Sequence, residues 1–266
     1  MKAFKLLSLA FSLATAVVFS SSAATLIDYN MGTASFTGIG LYAGYVSAPG
    51  TVIPGVNGTS TVTAVNYTAS SLSIGQLYGV GSSSKGLPPL SLYFSTANST
   101  TGIVNEFSTA TQADAITGQD YLAFTVTPSS GYAINVSTLT FEYERDGTSG
   151  VSTAASNWFL MSSADNFTTA LASGTMPTVQ SAGVYNFSLV TATLSGNSAL
   201  QNVTSSTTFE LYFYGSSPTG TDGFRLDEIT LTGAVVAVPE VPVWALALLG
   251  LPFLFLVVRR RRALTV

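Results

Sequence analysis

The sequence predicts an all-β protein, a single antiparallel β-sandwich ectodomain followed by one C-terminal transmembrane helix. Three observations carry this. Apolar and polar residues alternate with period two in several short segments, Gly preceded by Asn or Asp punctuates them, and an uncharged apolar run near the end closes on four arginines. Only 8% of the 266 residues are charged and about a quarter are Ser or Thr, a composition that suits half-buried pleated surface better than amphipathic helix.

Residues 1–24 read as a secretory signal peptide. Lys2 and Lys5 precede an apolar segment from Leu6 to Phe19, and Ser21-Ser22-Ala23-Ala24 supplies the small residues of a cleavage site after Ala23 or Ala24. The ectodomain then spans 25–236, enough chain for one large β domain. Its clearest strands place Leu122, Phe124 and Val126 on one face, and likewise Leu139, Phe141 and Tyr143, then Tyr185, Phe187 and Leu189, then Phe209, Leu211 and Phe213. Asn57-Gly58, Asp146-Gly147 and Asp222-Gly223 supply turn chemistry, because Gly admits positive φ and Asn or Asp tolerates it. Many short strands with such turns point to a sandwich.

One segment breaks the alternation. From Phe224 to Leu231 the apolar residues occupy even positions up to Leu226 and odd positions from Ile229. A strand changes face in this way only where a residue is inserted, so a β-bulge is predicted at Asp227-Glu228.

Residues 237–266 form a tail. The run 241–258 carries no charge, and at ~1.5 Å per residue its roughly 27 Å approaches the ~30 Å thickness of a bilayer core. Arg259, Arg260, Arg261 and Arg262 resist translocation and hold their end on the cytoplasmic side, which places the ectodomain outside. Pro252 is tolerated within a bilayer helix.

The charge of the exported part is one-sided. Between Asp28 and Glu228, twelve carboxylates stand against Lys85, Arg145 and Arg225, leaving nine net negative charges. Nucleic acid and anionic lipid need a Lys/Arg footprint and are therefore not expected as partners. The chain has no Cys and no His, which removes disulfides, thiol chemistry, Ser-His-Asp and Cys-His arrangements and the commonest metal ligand. A carboxylate pair of the glycosidase type is the catalysis that survives.

The tail, with Pro239-Glu240, a second proline at Pro242, the apolar run and the arginines, resembles the PEP-CTERM sorting signal of bacterial exported surface proteins. It departs from that pattern at Val241, which puts the second proline one position late. The resemblance implies an exosortase-type membrane transpeptidase as partner, an inner-membrane-anchored precursor, and a mature protein at the cell surface or in an exopolysaccharide matrix.

A second, looser resemblance covers about half of the body. Leu139 to Tyr143, Asn157 to Ala170, Phe209 to Gly215 and Phe224 to Gly233 are similar to the jelly-roll-like domains found ahead of such tails, and in outline to carbohydrate-binding jelly rolls. It implies a structural calcium held by a last-strand Asp and an N-terminal-strand residue, here Asp227 and Asp28. No other cofactor is implied.

Tyr212 and Tyr214 oppose the apolar face of their strand and are candidates for stacking against sugar rings. Glu142, Glu144 and Asp146 share one strand face, expected to be solvated. Seven Asn-x-Ser/Thr triplets occur, at Asn57, Asn66, Asn98, Asn135, Asn166, Asn186 and Asn202. The favoured function is a non-enzymatic surface or matrix protein for adhesion or envelope organisation. The alternative is a carbohydrate-binding module, and a minor alternative is a carboxylate-only glycosidase.

Overall fold

The computed structural model describes residues 23–29, 66–74, 81–82, 92–95, 109–147, 151–176, 179–181, 187–216 and 222–238. Nearly all of the signal peptide lies outside these residues, as do Lys85, the Asn57-Gly58 turn, the apolar run 241–258, and the sorting residues Pro239, Glu240, Pro242 and Arg259 to Arg262. Among the described residues no helix is long and apolar enough to cross a membrane.

The described strands are β1 (Ala24–Tyr29), β2 (Tyr67–Ala69), β3 (Ser73–Ile74), β4 (Gly81–Ser82), β5 (Leu92–Ser95), β6 (Tyr121–Pro128) and β7 (Tyr132–Gly147), followed by β8 (Asn157–Ser162), β9 (Ala172–Thr175), β10 (Val179–Ser181), β11 (Ser188–Thr193), β12 (Thr207–Tyr214) and β13 (Gly223–Ala237). They form two sheets. In the first, the long strands β7 and β13 pair antiparallel; β5 and β1 follow one another along the free edge of β13, β10 and β11 along that of β7, and β4 joins β5. All of these pairs are antiparallel except β10 with β7. The second sheet runs β2-β6-β12-β8-β9, with β3 also on β6.

The chain passes repeatedly between the sheets. From β6 to β7 it does so through a turn in which the Tyr132 N–H donates to Ser129 O at 3.0 Å and Gly131 takes φ 79°, a backbone conformation that Gly adopts without a Cβ penalty. Asn66, Asn166 and Asn202 also have positive φ, at 77°, 58° and 56°. Three of the Asn-x-Thr triplets thus have a conformational reason for their asparagine.

The core lies between the sheets and follows the predicted alternation. Leu122, Phe124 and Val126 from β6, Leu139, Phe141 and Tyr143 from β7, and Phe209, Leu211 and Phe213 from β12 are all buried. Aromatic rings bridge the layers: Tyr29 meets Phe124 at 5.9 Å, Phe141 meets Trp158 at 5.4 Å and Phe213 at 6.1 Å, and Phe213 meets Phe224 at 5.0 Å. Burying each such ring contributes about 1.5–3 kcal/mol.

The bulge falls where the switch in parity put it. Asp227 opposes Glu142 and Thr230 opposes Thr140, so two residues, Glu228 and Ile229, answer to Phe141 alone. Glu228 absorbs the extra length at φ 47° and points to solvent, while Asp227 Oδ1 accepts the Glu228 N–H at 2.9 Å. Leu226 before the bulge and Ile229 and Leu231 after it are all fully buried.

Three expectations are corrected. In β11 the core face is Val190 and Ala192, opposite Phe141 and Leu139, whereas Leu189 is 64% exposed. This segment is apolar at both parities, and pairing with β7 decides between them. Glu144 is not on a solvated face, because it is buried against Arg225 (Nη1 to Oε2 3.1 Å). The body also contains a short helix, α1 (Gln112–Gly118), whose N-cap Thr111 accepts the Asp114 N–H at 3.2 Å and whose C-cap Gln119 is left-handed.

Candidate functional site

The outer face of the second sheet should be polar if it were simply solvated. It is aromatic instead. Strand pairing places Tyr121 of β6, Tyr212 of β12 and Phe159 of β8 in one row, with Tyr214 and Met161 beside them and Glu210 between Ala123 and Met161. These residues form a second cluster, separate from the core. Ala115, Phe159, Met161 and Tyr212 are its buried members, and Tyr121, Phe167 and Tyr214 are packed at its margin.

Tyr212 is the centre. Its ring stacks on Phe159 at 4.5 Å and 5° between planes, and Tyr121 meets it edge-on at 5.0 Å. Tyr214 reaches the other side of the group, edge-on to Phe159 at 5.8 Å. Helix α1 packs on β12, with Ala115 fully buried in the same cluster. The picture of Tyr212 as an open platform is corrected: it is 4% exposed because Phe159 already occupies its ring face. Tyr214 and Tyr121, both half-buried, keep accessible surface.

A carboxylate sits among the phenols. Tyr212 donates its hydroxyl to Glu210 Oε2 at 2.7 Å, and Tyr121 also hydrogen-bonds Glu210. Burial pushes Glu210 above the usual carboxylate range, against the phenol hydrogen bonds that draw it down. Burial raises the Tyr212 hydroxyl too, and the hydrogen bond to Glu210 adds to the effect. The arrangement offers aromatic edges and faces for stacking beside an acceptor-only group for hydroxyl or ammonium hydrogens.

Asp28 and Asp227, the two residues tied to calcium, lie near one another in sequence register but face different partners. Asp28 opposes Thr230 and accepts its hydroxyl at 3.3 Å, whereas Asp227 opposes Glu142 and is 4% exposed. Among the described residues no group of three His, Cys, Asp or Glu could hold a metal ion.

Both arginines of the described body are structural. Arg225 pairs with Glu144, and Arg145 donates to Met176 O at 2.9 Å, Ala154 O at 2.9 Å and Ser152 O at 3.4 Å, tying β7 to the segments that flank β8 and β9. Each is 6% exposed. Neither presents its charge to a ligand.

Sequence reasoning singled out Tyr212 and Tyr214 but missed Tyr121, Phe159, Met161, Glu210 and α1. A signal existed in Trp158-Phe159-Leu160-Met161, since a strand apolar at every position is covered on both faces. Thr111-Gln-Ala-Asp114 was a second signal, a helix-start pattern.

No protein-family model matches the chain, and no curated protein matches it significantly. Among solved structures, two cleaved adhesin domains of Lys-gingipain from Porphyromonas gingivalis W83 are similar. One has 17% identity and a TM-score of 0.32, over 57% of this chain and 79% of that one. The other has 12% identity and a TM-score of 0.33, over 79% and 98%. The CBM22-1 xylan-binding domain from Paenibacillus barcinonensis matches at 9% identity and a TM-score of 0.31, over 83% and 99%. At these scores the likeness says nothing about what this chain binds.

Proposed function

We propose that this chain is an exported surface or matrix protein whose β-sandwich is a non-catalytic adhesion module for polysaccharide, delivered by its C-terminal tail. The observation that carries the glycan reading is the aromatic outer face of the second sheet, where Tyr121, Tyr214 and Glu210 surround the Tyr212–Phe159 stack. Sugar rings stack on such faces and donate hydroxyls to such a carboxylate. Affinity electrophoresis of the full-length chain in polysaccharide gels is the test. Retardation that is lost in Tyr214→Ala and Tyr121→Ala supports the reading, and equal retardation of wild type and both variants ends it.

Export and sorting are the second half of the proposal. Strand β1 begins at Ala24, so a cut after Ala23 leaves it whole. The Pro239-Glu240 element, the apolar run 241–258 and Arg259 to Arg262 have the order of a PEP-CTERM signal read by an exosortase. Replacing Pro239 and Glu240 by Ala is expected to leave the full chain in the inner membrane. Normal maturation of that variant would contradict the sorting role.

A glycosidase has less support. Glu144 is held by Arg225, Asp165 Oδ2 accepts from Thr168 and Thr169, and Glu210 is engaged by two phenols. Reducing-sugar release from a polysaccharide panel, abolished by a single carboxylate substitution, would revive it.

A further inference from the structure

We infer that the glycan suited to the outer face of the second sheet carries free amines, a polymer of amino sugars in its protonated form rather than a neutral or uronic-acid chain. The inference rests on the polysaccharide reading above and adds the charge of the ligand to it.

Charge complementarity supplies the argument. The exported part holds twelve carboxylates against three cations. Of those cations, Arg145 is turned to backbone carbonyls and Arg225 to Glu144, both buried. A uronic-acid polymer would therefore approach an acidic surface with no described arginine to receive it, and like charge raises the cost of every step of that approach.

The site itself has the same sign. Glu210 lies within the aromatic group, half-buried, accepting from the Tyr212 phenol at 2.7 Å. A carboxylate has about four lone-pair positions, so acceptor capacity is left after the two phenols are counted. Tyr121, half-buried and hydrogen-bonded to Glu210, meets Tyr212 edge-on beside that carboxylate, and the negative face of an aromatic ring attracts ammonium groups. Asp120, next to Tyr121 in the chain, adds to the negative field felt by Tyr212. A sugar ring stacked on Tyr121 and bearing an amine uses both features at once.

Calorimetry of the full-length chain with two ligands of equal length, a glucosamine oligomer and its N-acetylated counterpart, tests this in low-salt buffer acidic enough to protonate the amines and alkaline enough to leave Glu210 ionised. The amine form is expected to bind at least about tenfold more tightly, the lower end of one charge-assisted hydrogen bond. That preference should shrink in about 0.5 M salt, where screening is strong, and in Glu210→Gln. Should the variant unfold, the salt titration of the wild type carries the same test. Equal or tighter binding of the acetylated form overturns the inference and leaves the polysaccharide reading standing. Equal binding of oligolysine overturns it as well, because charge alone would then suffice. Failure of both sugars and of the neutral polysaccharide gels sinks both readings together.

Discussion

Arg225 on β13 and Glu144 on β7 stand directly opposite each other and form an ion pair, Nη1 to Oε2 3.1 Å, with side chains 7% and 0% exposed. A buried pair is costly to break, since removal of one partner leaves the other charge uncompensated. Arg225→Met or Glu144→Leu is expected to destabilise the sandwich by about 3–5 kcal/mol. The double variant Arg225→Met, Glu144→Leu is expected to recover much of that loss, because it removes both desolvation penalties together. Urea denaturation of the four proteins closes the cycle, and additive losses would show that the two groups do not depend on each other.

Gly233 has no room for a side chain. A Cβ there would strike Asn135 O and come within 2.7 Å of Leu26 Cδ1. Gly233 lies opposite Ala24 on β1 and Val136 on β7, where the register of β13 shifts. Gly233→Ala is expected to cost about 1–3 kcal/mol through overpacking, read from the shift in denaturation midpoint. Because the contact involves Leu26, hydrogen exchange should rise first in β1.

The bulge admits a sharper test. Glu228 sits at φ 47°, where a residue other than Gly is strained. Glu228→Gly is expected to be neutral or to stabilise by up to about 1 kcal/mol. Inserting one alanine after Glu228 should be severe, since a further one-residue slip would turn Ile229 and Leu231, both fully buried, away from the core. Parallel melting curves decide the matter: equal losses in the two variants would mean that the insertion is not what sets the faces of β13.

How far the sequence alone reached depends on how local each signal was. Phe124 and Phe141 alternate with polar or small neighbours, and their faces could be read from three residues. The bulge was legible for the same reason, because a change of parity needs no knowledge of the partner strand. Leu189 misled because Val190, Ala192 and Leu194 offer a second apolar face, and the choice is made by pairing with Phe141 and Leu139. Glu144 was beyond local reading, since its cation enters 81 residues later. The burial of Tyr212 depended on Phe159 from another strand and on the short helix that brings Ala115 onto the outer face.

Glu210 and Asp165 should shape the acid limb of stability in opposite senses. Burial raises Glu210 in the folded protein above its unfolded value of about 4.3. Between the two values the native state binds more protons than the unfolded chain, so stability falls as pH rises through that window and the penalty is complete above it. Glu142 acts in the same direction, raised by burial and then by the charge of Glu228. For Asp165, burial pushes upward but is outweighed by hydrogen bonds from Thr169 and Thr168, and its folded value is depressed. Its contribution is present above the unfolded value of about 3.9 and is lost as pH falls through the folded one. Melting temperature followed from about pH 3 to pH 7 should therefore be flatter on the alkaline side of its maximum in Glu210→Gln, and flatter on the acid side in Asp165→Asn. A wild-type profile unchanged by Glu210→Gln would mean that the carboxylate is solvated in the folded protein, which would also remove it from the aromatic site.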